Sequence, residues 1–213
     1  MYINLKKWTL CADGYPELQA ETPCSMYSAL LAEKLIDNPF LGDNEEKITK
    51  LAEKDCVFKT EFEISEDFEN KNAILRFNGL DTLCDITLNG CPVCSTDNMH
   101  RRYDIECAKY LRIGKNQISI YFHSPLEYVK RADARTKLFV NPDSTPGAAH
   151  IRKASYMFGW DWGPTLPDMG IFRDAELFIF SGAMLDNLFI TQKHTPDGVV
   201  LAVNPESVGG DCA

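Results

Sequence analysis

A period-two alternation of apolar and polar side chains constrains this chain more than any other feature in it. Across residues 57–64, Phe58, Thr60, Phe62 and Ile64 alternate with Lys59, Glu61 and Glu63. Successive side chains on a strand point to opposite faces, so this pattern buries one face and wets the other. The period returns at Leu75 and Phe77, at Ile86 and Leu88, at Ile118, Ile120 and Phe122, and at Leu177 and Ile179. Turn chemistry separates the runs, at Asn78-Gly79, Asn89-Gly90, Gly114-Lys115-Asn116 and Pro167-Asp168. Several short strands without intervening helices predict an all-β fold, an antiparallel sandwich of the jelly-roll kind.

Short helices are expected ahead of the sheet. Residues 26–36 carry Leu30, Leu31 and Leu35 in a partial stripe, and residues 43–54 open on Asp43-Asn44-Glu45-Glu46, negative charge suited to a helix start. Residues 123–155 have no clear period and hold several prolines. They read as one long loop, and loops of that length are often functional. After residue 182 the pattern restarts with Leu185, Leu188 and Ile190, a Thr195-Pro196-Asp197-Gly198 turn, and an apolar run over 199–203. A lone hairpin buries no apolar face by itself. Residues 1–182 are therefore expected to form one domain, and residues 183–213 the opening of a second that is cut short.

Bulk properties exclude several classes. With 213 residues, 45% of them hydrophobic, the chain is long enough for a substantial core. Its 22 basic residues are dispersed among 31 acidic ones for a net charge of −9, which argues against nucleic acid as a partner. No apolar run reaches the roughly 18 residues of a membrane span, and the first residues carry no secretory signature. Cys11, Cys56, Cys84 and Cys107 sit singly in apolar segments, as reduced thiols do in a cytoplasmic protein. Cys91 and Cys94 form an isolated C-x-x-C beside an Asn-Gly turn, with no second pair at zinc-ribbon spacing. His100, His123, His150 and His194 are scattered, Ser25, Ser28 and Ser155 lack a nucleophile elbow, and no glycine-rich phosphate loop occurs. Neither a metal nor a cofactor is expected.

The stretch Tyr156-Met157-Phe158-Gly159-Trp160-Asp161-Trp162-Gly163-Pro164 places two of the three tryptophans around one carboxylate, with glycines that let the backbone turn. An indole face can lie against the C–H face of a pyranose while a carboxylate accepts two hydrogen bonds from adjacent hydroxyls. Trp160, Asp161 and Trp162 are thus candidate sugar-binding residues, the competing reading being an aromatic hairpin packed in a β core.

Seven ordered stretches carry a family resemblance. They are Thr22-Pro23-Cys24-Ser25-Met26-Tyr27, Asn38-Pro39-Phe40-Leu41-Gly42-Asp43-Asn44-Glu45, Gly79-Leu80-Asp81-Thr82, Leu88-Asn89-Gly90, Thr96-Asp97-Asn98-Met99, Phe122-His123-Ser124-Pro125, and Arg152-Lys153-Ala154 running into the tryptophan motif. In this order they resemble the N-terminal domain of β-mannosidases in family 2 of the glycoside hydrolases. The resemblance implies a galactose-binding-like jelly roll, followed by an immunoglobulin-like sandwich and a TIM barrel. It implies that Asp161 bonds hydroxyls of a terminal β-linked mannose, with Trp160 and Trp162 shaping that pocket and Asn98 on a second nearby loop. An Asx turn that caps its own loop is the equal alternative for Asn98. The two catalytic glutamates of such retaining enzymes, roughly 5–5.5 Å apart, come from a barrel of about 250 residues that this chain cannot contain. The chain alone is therefore expected to be inactive, and Glu206, in a polar tail, is no substitute. A free-standing carbohydrate-binding module, or the equivalent domain of a β-galactosidase or β-glucuronidase, is the alternative. Cys56 departs from the pattern by replacing an aromatic residue, which predicts looser packing at that edge.

Overall fold

The computed structural model describes residues 1–209, so the last part of the 183–213 segment, residues 210–213, lies outside the described residues. Six antiparallel strands form the larger sheet in the order β3 (Leu18–Glu21), β2 (Lys7–Ala12), β5 (Cys56–Ile64), β10 (Gly114–Phe122), β7 (Cys84–Leu88) and β8 (Cys91–Thr96). The smaller sheet runs β1 (Tyr2–Asn4), β14 (Ala175–Phe180), β6 (Asn72–Phe77) and β9 (Tyr103–Glu106). One core fills the space between them, with Trp8, Phe58 and Phe122 from the larger sheet and Leu75, Phe77 and Leu177 from the smaller.

The alternation read from the sequence sets this register. Phe58, Thr60 and Ile64 are buried while Glu61 and Glu63 face water, and opposite them Ile118, Ile120 and Phe122 are buried on β10. Phe58 pairs with Ile120 and Thr60 with Ile118, and the Phe58 and Phe122 rings meet edge to face at 5.6 Å. A one-residue slip would turn every one of these side chains to solvent. Asn89 and Gly90 both take positive φ, 52° and 80°, which joins β7 to β8 by the tight turn that the Asn-Gly pair predicted. Cys56 is 2% exposed and sits in register between Ala12 and Phe122.

The helices differ in part from the sequence reading. Helix α1 (Met26–Ala32) has Ser25 as N-cap and stops before residue 36, because Lys34 takes a left-handed φ of 58°. Helix α2 (Asn44–Thr49) continues as a 3₁₀ turn, Lys50–Glu53, close to the expected span. Residues 123–155 are not one long loop: helix α3 (Pro125–Arg135) occupies their first part. Its start was legible as Ser124-Pro125, since the Ser124 hydroxyl accepts from the Glu127 amide at 3.0 Å and proline occupies the first turn. Only Pro125, Val129 and Asp133 are buried along it, too sparse an apolar stripe for periodicity to register.

Three small β units complete the chain. Strand β4 (Cys24–Ser25) pairs with β13 (Gly170–Ile171), and β11 (Phe158–Trp160) forms a hairpin with β12 (Gly163–Thr165). Strands β15 (Met184–Thr195) and β16 (Gly198–Val208) make a long ribbon exposed on both faces. Its root is tied to the smaller sheet. Arg76 bonds Asp104 at 2.7 Å and Asp186 at 2.5 Å, Arg102 bonds both carboxylates, and Asn72 donates to the carbonyls of Gly182 and Gly209.

Candidate functional site

The platform beneath the tryptophan motif is built from two distant sequence stretches that meet in the interior. The Lys153 ammonium donates to a carboxylate oxygen of Asp81 and to the Asp168 carbonyl at 2.6 Å, and the Thr82 hydroxyl donates to the other Asp81 oxygen. The two charged side chains are 0% and 6% exposed. Burial pulls the Lys153 ammonium below its ordinary pKa, and the Asp81 charge opposes that. Asp81 and Gly170 exchange backbone hydrogen bonds at 2.9 and 3.1 Å. A Cβ on Gly170 would fall 2.5 Å from the Cys24 carbonyl oxygen, so only glycine lets these backbones approach.

Asp168 ties this platform to α1. Its Oδ1 accepts from the Tyr27 amide at 3.0 Å and the Met169 amide at 2.7 Å. Burial nonetheless pushes its carboxyl up to about 6, against the stabilising effect of these bonds, of Ser25 and of the Lys153 charge.

From this platform rises the β11–β12 hairpin. Phe158 is fully buried at its base, Gly159 takes a φ of +95°, Trp160 pairs with Gly163, and Asp161 and Trp162 form the turn. Both edges are braced. The Thr145 amide donates to the Phe158 carbonyl at 2.8 Å and the Ser144 hydroxyl to the Gly159 carbonyl at 3.2 Å. On the other edge the Thr165 amide donates to Glu45 at 2.5 Å, and the Thr49 hydroxyl donates to the Thr165 carbonyl.

The structure brings Trp160 and Trp162 together, with ring centroids 5.3 Å apart and planes at 66°. They are 41% and 80% exposed and line a cavity of about 600 Å³ with Tyr156, Phe40, Leu31 and Leu166. Three polar side chains on its wall, Ser25, Ser28 and Asp168, are already engaged. Ser25 accepts from the Ser28 amide at 3.2 Å, Ser28 accepts from the Ser25 amide at 2.8 Å, and Asp168 caps Tyr27. Asp161 does not line this cavity: it stands exposed at the turn, and no group among the described residues bonds its carboxylate. Both lone-pair sets are therefore available to a ligand's hydroxyls. Asn98 lies apart from the cavity lining, and its Oδ1 accepts from the His100 amide at 2.9 Å, the self-capping turn weighed as its alternative. It bridges backbone to backbone with Arg152, which leads into the platform.

Sequence reasoning did not single out Glu45, Thr49, Asp168 or Tyr156. Glu45 and Phe40 belonged to one of the motifs, but nothing in one chain signals that a helix 120 residues away holds Thr165.

A family profile described as glycosyl hydrolase 2 galactose-binding domain-like matches residues 8–173. A probable beta-mannosidase of Caenorhabditis elegans is 34% identical over 75% of this chain and 19% of its own length. The beta-mannosidase of Capra hircus is 31% identical over 84% of this chain and 21% of its own length. The chain thus spans about a fifth of the length of these relatives. A crystallised beta-D-mannosidase from Dictyoglomus thermophilum superposes with a TM-score of 0.86 at 22% identity, over 97% of this chain and 31% of that one. An exo-chitosanase from Amycolatopsis orientalis gives 0.72 at 17% identity, over 97% and 24%. At these identities the two structures establish the shared fold.

Proposed function

This chain belongs to the glycosyl hydrolase 2 galactose-binding-domain-like family, and from that premise we propose that it is the N-terminal recognition domain of a retaining exo-β-mannosidase. The observation that carries this reading is the braced hairpin, which holds Asp161 at its tip with no hydrogen-bonding partner for its carboxylate among the described residues. A carboxylate so held accepts charge-assisted bonds from adjacent hydroxyls of a terminal mannose, remote from the scissile bond. Trp160 and Trp162 shape the pocket around that carboxylate, with Asn98 on a second loop. The choice of mannose rests on the names of the relatives.

Hydrolysis itself falls to parts beyond this domain. Two glutamates about 5–5.5 Å apart come from a TIM barrel reached through an immunoglobulin-like sandwich, and no cofactor takes part. Residues 1–182 form the recognition domain, and residues 183–213 begin the second sandwich. The register of the ribbon supports this division: Leu188, Ile190, Leu201 and Val203 share one face, and each is about half exposed. Such a face needs further strands to cover it. The free thiols at Cys56, Cys84 and Cys107 favour the cytoplasm. A free-standing carbohydrate-binding module is the weaker reading, since rings inclined at 66° give no flat platform for a sugar chain.

Three experiments test the proposal. Calorimetric titration of the isolated chain with mannose and mannobiose should show little or no heat, because one exposed carboxylate cannot offset an association cost of at least ~4 kcal/mol. Robust hydrolysis of an aryl β-mannoside by the chain alone would refute it. In a polypeptide of the relatives' length carrying this domain, Asp161→Ala should lower kcat/KM by about tenfold or more at unchanged melting temperature. An unchanged kcat/KM would remove Asp161 from the site.

A further inference from the structure

A two-stranded sheet of three residues per strand does not hold its own shape in water. The β11–β12 hairpin is that short, yet Phe158 at its base is fully buried and its tip carries the exposed Asp161 and Trp162. What keeps it upright is visible at Thr165. The N–H and C=O of this residue point away from β11, the positions that a third strand would satisfy in a wider sheet. Helix α2 supplies both partners instead. Glu45 accepts the Thr165 N–H at 2.5 Å, and the Thr49 hydroxyl donates to the Thr165 carbonyl. Glu45 and Thr49 are four residues apart, so one face of the helix presents both groups. The helix is itself anchored, by Ile48 at 3% exposed and by Ala52, fully buried in the 3₁₀ turn that follows.

We infer that Glu45 and Thr49 are positioning residues that stand in for a missing strand and fix the height and direction of the Trp160–Asp161–Trp162 tip. The consequence for sugar recognition rests on the function proposed above, since a misplacement of about 1 Å can cost on the order of 10²-fold in rate. The positioning itself does not depend on that function, and its test uses no sugar.

The chain has three tryptophans, and the third, Trp8, is 1% exposed with its indole N–H bonded to the Leu5 carbonyl at 2.6 Å. It is an internal reference. In two-dimensional ¹H–¹⁵N spectra of the 213-residue chain, Glu45→Ala should shift or broaden the indole signals of Trp160 and Trp162 while the Trp8 signal stays in place. Glu45→Gln keeps an oxygen that accepts the Thr165 N–H and should restore the wild-type positions. Thr49→Val, which removes only the hydroxyl donor, should move the same two signals to a smaller degree, and it serves alone if Glu45→Ala does not fold. Unmoved Trp160 and Trp162 signals, displacement of all three together, or failure of Glu45→Gln to restore them would overturn the inference. Loss of sugar recognition on Asp161→Ala, or its absence, leaves this outcome untouched.

Discussion

Replacing Lys153 with methionine isolates the contribution of the buried charge pair. Methionine refills most of the aliphatic volume, so the cavity term is small and the loss is electrostatic. With Lys153 gone, Asp81 keeps the Thr82 hydroxyl as its side-chain donor while its carboxylate stays almost wholly enclosed, at 6% exposed. The Asp168 carbonyl also loses a 2.6 Å partner. Removing one member of a buried pair costs about 3–5 kcal/mol, because the uncompensated charge remains inside. For a domain of this size each kcal/mol lowers the melting temperature by roughly 2–4 °C, so Lys153→Met should melt about 6–20 °C below the parent at neutral pH. Calorimetry and urea titration both read this. The variant with Asp81→Asn added should regain a good part of the loss, since the remaining partner is then neutral. A single-variant loss under about 1 kcal/mol, or strictly additive effects of the two substitutions, would show that the pair is neither desolvated nor coupled.

Three further outcomes follow from the geometry. Asp168 titrates near 6 in the folded chain against an ordinary 3.8, so its contribution is fully present below pH 3.8 and is lost as pH rises toward about 6. At 1.36 kcal/mol per pH unit this is at most about 3 kcal/mol; Asp168→Asn should flatten that part of the stability profile, and an unchanged profile would count against burial as the cause. Gly170→Ala forces a Cβ to within 2.5 Å of the Cys24 carbonyl and should destabilise by about 1–3 kcal/mol in denaturant melts. Asp186→Ala removes the ribbon's ion pairs with Arg76 and Arg102, so amide exchange across 184–208 should accelerate while that of β5 and β10 holds; equal exchange in the variant and its parent would mean that the ion pairs do not join the two parts.

The alternation along β5 and β10 was enough to place those strands, their inward faces and the sandwich, because a period of two has only one way to meet a dry core. Asn89-Gly90 was legible for the same local reason: few residues other than these adopt two consecutive positive φ angles cheaply. Helix α3 escaped notice because three buried positions in eleven residues leave no stripe, although its cap was written in Ser124-Pro125. The site was half legible. Trp160, Asp161 and Trp162 were marked by composition, and the structure sets the two indoles on one cavity wall with the carboxylate outside it. Asn98 turns its Oδ1 to the His100 amide of its own turn.

By itself the amino-acid order determined what each segment could do alone: which stretches extend, which face of each is apolar, and where the backbone can reverse. Only the folded chain decided which distant groups meet. Lys153 meets Asp81 across 72 residues and Glu45 meets Thr165 across 120. Such pairings are chosen by the closing of two sheets over one core, where every buried polar group must find a partner, and no periodicity records the result.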